Sequence, residues 1–356
     1  MAKAAKSIEN QGRGDAPSVS VVVPARNELA NIRELVACIE RQTVAPLEAI
    51  VVDGCSTDGS WELLQELSET RPWLRPVRNP DKFIPTALNI GFAQSRGTIV
   101  ARMDTHARYH PDYIETVVRT FAEHPEAWGV GSAMATVGVG AWGRAIAAVL
   151  SRPFGLGGAR HRVGGEGGPV EHVFSGAYLR ERVIEAGGFD TELTANQDFE
   201  LDYRLRTLGG TIWLEPSLRS DWQAKESPKA LARQMARYGY DKAGTLMRHP
   251  ASLMPRQLAP PLLVAFLAAS AATRAPWALR ASGAYFAVAF ALGAEAGRRD
   301  GASPWRAAAV VPLVHIAWGA GLFAGLATHW NMGQRFRTEF RAAQPLSSRD
   351  GSDSSG

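Results

Sequence analysis

Between Ser18 and Asp104 the chain alternates short apolar runs with stretches in which apolar residues recur at helical spacing. The runs SVSVVVPA, LEAIVVDG and TIVARMD are rich in β-branched residues and predict buried strands. The segment NELANIRELVACIERQ has an apolar helix face, formed by Leu29, Ile32, Leu35, Val36 and Ile39. Strands that alternate with helices in this way predict a doubly wound, mostly parallel sheet of the α/β class.

The carboxyl ends of the predicted strands carry acidic and amide residues. Asn27 and Glu28 follow the first strand, Asp53 closes the second, and Asp104 closes the third. Because parallel α/β sheets bind ligands outside the carboxyl ends of their strands, these four residues predict a binding site. Asn27 and Glu28 have an alternative role as caps of the helix that follows. Asp58, in STDGS, is likewise a candidate for the cap of the next helix or for the site.

A carboxylate and an imidazole stand two residues apart in the stretch MDTH, where a buried strand runs into a loop. Asp104 and His106 could together hold a divalent cation, with diphosphate oxygens completing its coordination. A metal there would stabilise the charge of a departing nucleoside diphosphate. By itself, the D-x-H pattern favours a polar loop in which His106 is an ordinary surface residue.

The segment TANQDFELDYRL carries three carboxylates within five positions. Asp198 could be a helix cap, or it could be a general base that deprotonates an acceptor hydroxyl as that oxygen attacks an activated carbon. Glu200 and Asp202 are close enough in sequence to be alternatives for the same role. The pattern alone chooses only weakly among the three.

A later basic helix, PKALARQMARYGYDKAGTLMRH, contains an amide, a guanidinium and an aromatic ring at helical spacing. Gln234, Arg237 and Tyr238 therefore share one helix face. The guanidinium could pair with a diphosphate, and the ring could stack on a sugar or a base. A basic helix that lies on a membrane surface explains the same composition.

After His249 the chain becomes strongly apolar, in three segments at 258–272, 281–294 and 307–330. As a helix, the last would be about 36 Å long, enough to cross a hydrocarbon core of about 30 Å. Arginine and tryptophan at the segment edges favour membrane insertion over a buried helical bundle. By the positive-inside rule, the loop with Arg298, Arg299 and Arg306 is cytoplasmic, and with three spans so is the N-terminal domain. The arginines of the C-terminal tail would then lie outside, which argues against three spans.

Composition narrows the function classes. The chain has 356 residues, a net charge of +4, and no basic block with interleaved aromatics, so no nucleic-acid partner is predicted. Its two cysteines, Cys38 and Cys55, lack the spacing of a zinc site or a disulfide framework. The stretch GVGAWG matches G-x-G-x-x-G, but its mid-chain position favours a flexible loop or an interfacial turn over a dinucleotide site.

Six motifs in this order resemble those of family 2 glycosyltransferases with the GT-A fold, over roughly residues 18–248. They are VVVPARNE, VVDGCSTDGS, ALNIGFAQSRGTIVARMDTH, GAYLRERVIEAGGFD, NQDFELDYRLRTLGG and QMARY. The R-x-D-x-H form and the apolar C-terminal region look most like the succinoglycan-type, ExoA-like branch.

The resemblance implies a role for each candidate residue. The residues that would bind the nucleotide sugar, with Asp53 on the base, are Pro24, Asn27, Glu28, Asp53, Asp58 and Asp104. The metal, Mn²⁺ or Mg²⁺, would be held by Asp104 and His106. Asp198 would be the catalytic base. The diphosphate or the acceptor would be held by Gln234, Arg237 and Tyr238.

Three positions depart from the family pattern. Gly54 stands where the family often has a second acid after the second strand, which weakens the expectation of base recognition. His106 replaces an aspartate, which suggests a preference for a softer ion such as Mn²⁺. Gln197 stands where the E-D motif has a glutamate, whereas the base itself is kept.

The implied enzyme is an inverting hexosyltransferase of the cell membrane, with its catalytic domain in the cytoplasm. It would move a sugar from a nucleotide-diphosphate sugar to a hydroxyl of a lipid-linked glycan or polysaccharide. The predicted organisation is a disordered arm (1–17), a GT-A domain (18–250), a multi-pass hydrophobic region (251–331) and a disordered tail (332–356). The alternatives are a polyprenyl-phosphate sugar synthase and a non-catalytic nucleotide-sugar-binding subunit of a membrane complex.

Overall fold

The computed structural model describes residues 17–105, 107–157, 160, 166–193 and 195–342. The chain forms two compact units. Of the described residues, one unit contains those from 17 to 228 together with Phe286–Val311, and the other contains Lys229–Tyr285 and residues 312–342. The predicted domain limits at residues 250 and 331 stay predictions.

Within the described residues, eight strands form one sheet in the first unit. They are β1 (Val19–Ala25), β2 (Glu48–Asp53), β3 (Leu74–Arg78), β4 (Ile99–Arg102), β5 (Ala127–Val137), β6 (Gly168–Pro169), β7 (Phe174–Leu179) and β8 (Thr211–Gln223). Their order is β3-β2-β1-β4-β7-β5-β8-β6. Strands β3, β2, β1 and β4 are parallel, as are β5 and β8, whereas β7 and β6 pair antiparallel with their neighbours. The prediction of a doubly wound, mostly parallel sheet is confirmed.

Eight described helices belong to the sheet unit. They are α1 (Leu29–Glu40), α2 (Ser60–Glu69), α3 (Ile84–Gln94), α4 (Tyr113–Glu123), α5 (Gly140–Leu150), α6 (Pro153–Leu156), α7 (Arg180–Glu185) and α8 (Gln197–Thr207). Alternate residues of the strands enter two separate apolar clusters: Val21 and Val23 lie in one, and Val22, Ile50 and Val100 in the other. Because both faces of the sheet are buried, its strands read as nearly continuous apolar runs.

The C-terminal part of the chain is helical. Its helices are α9 (Pro228–Arg248), α10 (Ala259–Thr273), α11 (Pro276–Arg299) and α12 (Pro304–Ala342), with short 3₁₀ turns at Pro250–Ser252 and Pro255–Gln257. Helix α12 continues past residue 331, where the predicted tail begins.

By length and composition, two described helices could cross a membrane, over Pro276–Arg299 and Pro304–His329. Helix α10, the first of the three predicted apolar segments, has 15 residues and is about 22 Å long, shorter than the hydrocarbon core. By length, α11 and α12 could each cross by themselves, whereas α10, in the first of the three predicted apolar segments, could cross only together with flanking residues.

The glycine-rich stretch GVGAWG is neither a flexible loop nor a dinucleotide turn. It begins as a two-residue connection, Gly138 and Val139, between β5 and α5, and its last four residues are the first turn of α5. A Cβ atom on Gly138 would lie 2.1 Å from the carbonyl oxygen of Gly143. This close approach of two backbone segments explains the glycine without a bound nucleotide.

Glu48, at the start of β2, is a fully buried carboxylate with several polar partners. Its carboxylate accepts hydrogen bonds from the Ser20 hydroxyl (2.9 Å), from the Arg96 backbone N–H (2.7 Å), and from the guanidinium groups of Arg75 and Arg96. Burial raises the pKa of Glu48, but these donors outweigh burial and hold the pKa below its ordinary value. The stabilisation is therefore present above pH about 4.3 and is lost as the pH falls through the folded-state pKa.

We expect Glu48→Gln to lower the free energy of unfolding at pH 7 by about 1–3 kcal/mol, since it removes the charge from a buried, multiply bonded acceptor. Urea unfolding at pH 7 and again below pH 4 measures the effect, and the difference from the native chain should shrink at the lower pH. Glu34→Gln is the control, because its ion pair with Arg41 is solvent-exposed and should contribute less than about 1 kcal/mol. An equal loss of unfolding free energy in Glu48→Gln and Glu34→Gln would contradict the stabilising role of the buried Glu48 carboxylate.

Candidate active site

Asp53 and Asp104, two of the predicted site residues, lie where parallel strands of the sheet end. Asp53 is paired with Ala25 at the end of β1, and Arg102 ends β4 on the other side of β1. Because β2 and β4 flank β1, the ends that carry Asp53 and Asp104 are about 10 Å apart. This is the point at which the strand order reverses, where open α/β sheets bind their ligands.

Asp104 is 7% exposed and is held from three directions. One carboxylate oxygen accepts a hydrogen bond from the Ser175 hydroxyl at 2.9 Å, and the other accepts from Arg102 Nε at 3.1 Å. Its backbone N–H donates to the Tyr109 hydroxyl at 2.8 Å. Ser175 has a left-handed φ of +46°, a strained conformation for serine. The carboxylate orientation is thus fixed, whereas His106, its predicted partner, lies outside the described residues.

Arg102 joins the predicted metal ligand to the predicted base. Its Nη1 lies 2.7 Å from Asp198 Oδ1, while its Nε contacts Asp104, and the arginine is only 5% exposed. A buried arginine between two carboxylates makes charge-assisted hydrogen bonds in a fixed planar geometry. The structure thereby brings together two residues that are 94 positions apart in sequence, Asp104 and Asp198.

The three carboxylates of α8 have different environments, which the sequence alone does not distinguish. Glu200 forms a bidentate salt bridge with Arg204 on the same helix, in which Arg204 Nε and Nη2 each lie 2.6 Å from a carboxylate oxygen. Asp202, which is fully buried, accepts hydrogen bonds from the Val173 backbone N–H and from the hydroxyl of Tyr178 in β7. Asp198 is the one of the three that reaches Arg102. Of these three carboxylates, Asp198 is therefore the one held at the end of β4.

Burial raises the pKa of Asp198 above that of an ordinary aspartate. The positive charge of Arg102 and the proximity of His172 lower it again in part, while Asp202 and Asp104 raise it further. A carboxyl whose pKa is moved upward in this way is a better proton acceptor than a free aspartate.

His172 was not singled out from the sequence, yet it lies beside the candidate base. Its Nδ1 lies 2.8 Å from Asp202 Oδ2, and its ring contacts the ring of Phe199 at 5.7 Å between centroids. Asp202 also accepts from the Tyr178 hydroxyl at 3.0 Å. The Asp202 carboxylate thus fixes the orientation of an imidazole that faces the same region as Asp198.

Asp53 is a fully buried carboxylate with one satisfied and one unsatisfied oxygen. Oδ2 accepts from Arg78 Nη1 at 2.7 Å and from the Ser56 backbone at 3.1 Å. Among the described residues, Oδ1 has no hydrogen-bond partner. Arg78 also stacks over the Trp61 ring, 3.9 Å from its centroid. A buried acceptor without a partner is costly, and a ligand N–H or O–H donor would satisfy it.

Asn27, Glu28 and Asp58 hold the two loops after β1 and β2 together. Asn27 has a left-handed φ of +55°, and its side-chain oxygen accepts from the Thr57 backbone at 2.9 Å. Asp58 accepts from the backbone of Leu29 (3.1 Å) and of Ser60 (3.0 Å), so it satisfies N–H groups at the starts of α1 and α2.

Glu28 is at the N-cap position of α1, but its side chain makes no cap hydrogen bond. The Glu28 carboxylate instead accepts a hydrogen bond from the side-chain amide of Asn31. Asp58 therefore takes the capping role predicted for Asn27 and Glu28 at α1, while the N-cap position of α2 is Gly59.

The remaining predicted positions lie on β1 and on α9. Pro24 is half-buried in β1, paired in register with Val52. Gln234, Arg237 and Tyr238 lie on α9, and Gln234 Nε2 donates to the Tyr238 hydroxyl at 3.1 Å. These three belong to the second compact unit, so their approach to the strand ends stays a prediction.

Within the described residues, no three His, Cys, Asp or Glu side chains converge on a point that could hold a metal ion. The Asp104 carboxylate nevertheless fits a hard divalent cation, since it is an oriented oxygen donor at the ligand-binding edge of the sheet. One protein carboxylate with diphosphate oxygens and water is the ligand set that Mg²⁺ usually has in nucleotide sites.

Comparison with known proteins matches the sheet unit to glycosyltransferases. The Glycosyl transferase family 2 model matches residues 20–184. The succinoglycan biosynthesis protein ExoA of Rhizobium meliloti is 30% identical over 322 residues, which cover 86% of this chain and 94% of that protein. A dolichol-phosphate mannosyltransferase of Pyrococcus furiosus is 33% identical over 101 residues, 28% of this chain and 29% of that one.

A solved structure has the same fold. It is a mannosyltransferase from Pyrobaculum calidifontis in complex with GDP-Man and Mn²⁺, with a TM-score of 0.56 and 20% identity, covering 91% of this chain and 93% of that one. This likeness confirms the GT-A fold. The similarity to ExoA along nearly the whole of both chains, together with the matched family model, shows that this chain belongs to glycosyltransferase family 2.

Proposed function

We propose that this glycosyltransferase is an inverting, metal-dependent enzyme that transfers a hexosyl group to a hydroxyl of a lipid-linked glycan at the cytoplasmic face of a membrane. The observation that carries the proposal is the buried contact of Arg102 with both Asp104 and Asp198. It brings the residue that would hold the diphosphate metal close to a carboxylate of raised pKa. These two groups are what a single displacement at an anomeric carbon requires.

In the proposed reaction, Asp198 accepts the proton of the acceptor hydroxyl as that oxygen bonds to the anomeric carbon. The bond from this carbon to the diphosphate oxygen breaks, and its electron pair leaves with the nucleoside diphosphate. Asp104, with His106, would hold Mn²⁺ or Mg²⁺, which when bound stabilises the charge of the leaving group. Arg102 keeps Asp198 oriented and compensates its charge before the acceptor arrives.

Asp53 would recognise the base of the donor through its unpaired oxygen. We expect Asp53→Asn to raise the KM for the donor about 10- to 100-fold with kcat little changed, because the contact is the same in ground and transition states. Initial-rate kinetics and a thermal melt of each variant measure this effect. Asp81→Asn, on the exposed surface, is the matched control and should leave both constants unchanged. A fall in kcat with unchanged KM would contradict the assignment.

Membrane attachment is supported by α11 and α12, whose lengths of 24 and 39 residues exceed a bilayer span. The similarity to ExoA covers 86% of this chain and therefore extends beyond the sheet-forming residues 19–223. Arg298, Arg299 and Arg306 surround the connection between the two helices, so the positive-inside rule favours a cytoplasmic connection. A catalytic unit on the same side then requires one further crossing before α11, in the segment that contains α10.

The alternative acceptor is a polyprenyl phosphate, and the local similarity to a dolichol-phosphate mannosyltransferase favours it as the second candidate. The two acceptors are separated by giving the full chain, in detergent, either polyprenyl phosphate or a polyprenyl-diphosphate monosaccharide with a radiolabelled donor. Our proposal predicts product only on the glycan hydroxyl. Product on the bare lipid phosphate would replace it with the alternative.

A further inference from the structure

The connection between α11 and α12 is a tight turn between two closely packed helices. A Cβ atom on Gly293 would lie 2.4 Å from the Ala307 carbonyl oxygen, and one on Gly297 would lie 2.9 Å from Ala307 Cβ. Small residues at such contacts are typical of packed membrane helices. The two helices therefore emerge together at this end, and the residues between them lie at one membrane surface if the helices cross.

This turn is fastened to the sheet unit at α5 and α6. Arg152, between these helices, pairs with Asp300 in the turn at 2.5 Å. Trp142 of α5 meets Trp305 of α12 edge to face, with 5.8 Å between ring centroids, and the Arg306 guanidinium lies over the Trp305 ring at 4.4 Å. All of these residues belong to the first compact unit. Helix α5 and the ends of α11 and α12 at this turn therefore share a continuous surface.

That surface combines exposed apolar groups with positive charge. Val137, Val139 and Trp305 are 41%, 58% and 63% exposed. Arg144 is also exposed, while Arg298 and Arg299 are exposed but pair with Glu295. Tryptophan with arginine at the end of an apolar helix is the usual composition of the lipid headgroup layer. We call the set Val137, Val139, Trp142, Arg144, Trp305 and Arg306 the interfacial patch.

We propose that the interfacial patch lies in the headgroup layer of an anionic bilayer and holds the catalytic unit against the membrane. The inference rests on the proposed membrane attachment and extends it from the C-terminal helices to the β5–α5 connection. Two observations carry it: the patch is continuous with the ends of both candidate spans, and its charged residues, Arg144 and Arg306, are both positive. Its function would be to fix the height of the strand-end site above the lipid that bears the acceptor.

The depth of a nitroxide label tests this inference. Labels are placed singly at Val139→Cys, Leu292→Cys and Leu208→Cys in an active full-length chain whose two native cysteines are replaced, reconstituted in vesicles containing phosphatidylglycerol. Leu292 is an exposed position on α11, and Leu208 is an exposed position of the sheet unit outside the patch. Collision with oxygen and with an aqueous nickel chelate reports the medium around each label.

We expect the Val139 label to collide with oxygen more than with nickel, as the Leu292 label does, and the Leu208 label to show the opposite. An aqueous Val139 label beside a lipid-exposed Leu292 label would overturn the inference and leave the membrane attachment intact. An aqueous Leu292 label would overturn both. A Val139 label shielded from both reagents would show that a protein, and not lipid, covers the patch.

Activity in vesicles supplies a second readout. Arg144→Gln and Arg306→Gln should each lower the activity in phosphatidylglycerol vesicles relative to detergent, by up to about fivefold, because each arginine near an anionic surface contributes about that factor. In neutral vesicles the variants and the native chain should agree. An equal loss in detergent and in both kinds of vesicle would show that the arginines serve only the fold.

Discussion

Asp198→Asn should lower kcat for transfer to a glycan hydroxyl by about 10²–10⁴-fold, the usual contribution of a general base. The donor should still bind, because Asp198 would contact the acceptor proton and not the nucleotide. The amide keeps the size of the side chain and can still accept a hydrogen bond from Arg102. Lost activity would therefore reflect lost basicity. The comparison of kcat with donor affinity, measured on the same preparation, separates these effects.

The pH dependence gives an independent check on Asp198. The base acts in its ionised form, and burial raises its pKa. In the native chain kcat/KM should therefore fall as the pH is lowered through a value above that of a free aspartate. Asp198→Asn should lose this acidic limb. Glu200→Gln is the comparison, because its carboxylate is held by Arg204 and the limb should persist. A mild effect of Asp198→Asn would favour a phosphate acceptor, which is already ionised.

Arg102→Met should be nearly as damaging, although arginine performs no proton transfer. Its loss leaves Asp104 and Asp198 buried without the cation between them, and breaking a buried pair in this way costs about 3–5 kcal/mol of stability. We expect kcat/KM to fall about 100-fold or more, since a base displaced by about 1 Å loses that much. Thermal melts identify conditions in which the variant is still folded.

Two further results distinguish orientation of the base from general support of the fold. Because the Arg102 charge lowers the pKa of Asp198, its removal should move the acidic limb of kcat/KM to higher pH. Arg102→Lys keeps the positive charge but cannot bridge two carboxylates with a planar guanidinium. In this variant the acidic limb of kcat/KM should return to its native pH, while kcat/KM itself should recover only in part. Arg41→Met, in an exposed ion pair, should change neither quantity. An unshifted limb in Arg102→Met would contradict the role.

Strands β1, β2 and β4 could be predicted because each is an apolar run that is closed or followed by polar residues, whereas β3 (LRPVR) has no such run. That pattern placed Asp53 and Asp104 at the ends of the two strands that flank β1. The antiparallel strands β6 and β7 could not be predicted in the same way, since β6 has only two residues and the surrounding chain is rich in glycine. The pairing of β7 with β4 is what brings Ser175 to Asp104.

Arg102 shows why part of the site escapes sequence reasoning. It is the last residue of the run IVAR, and whether its side chain is buried depends on residues such as Asp198 that are distant in the chain. The local signals of its role are its place in the R-x-D-x-H form and its position at the end of a buried strand, two residues before a candidate ligand. His172 has no such signal, because its orientation depends on Asp202, which is 30 positions away on another element.

The central claim is that Asp104 and a divalent metal activate a nucleotide-sugar donor at the strand ends. Release of nucleoside diphosphate from a panel of nucleotide sugars tests it most directly, with the full chain in detergent and Mn²⁺, Mg²⁺ or a chelator present. Asp104→Asn is compared with Asp112→Asn, the same substitution at an exposed position of the sheet unit. We predict release that favours one donor, needs metal, and is lost only in Asp104→Asn. Release that persists in the chelator, or equally in both variants, would contradict the claim.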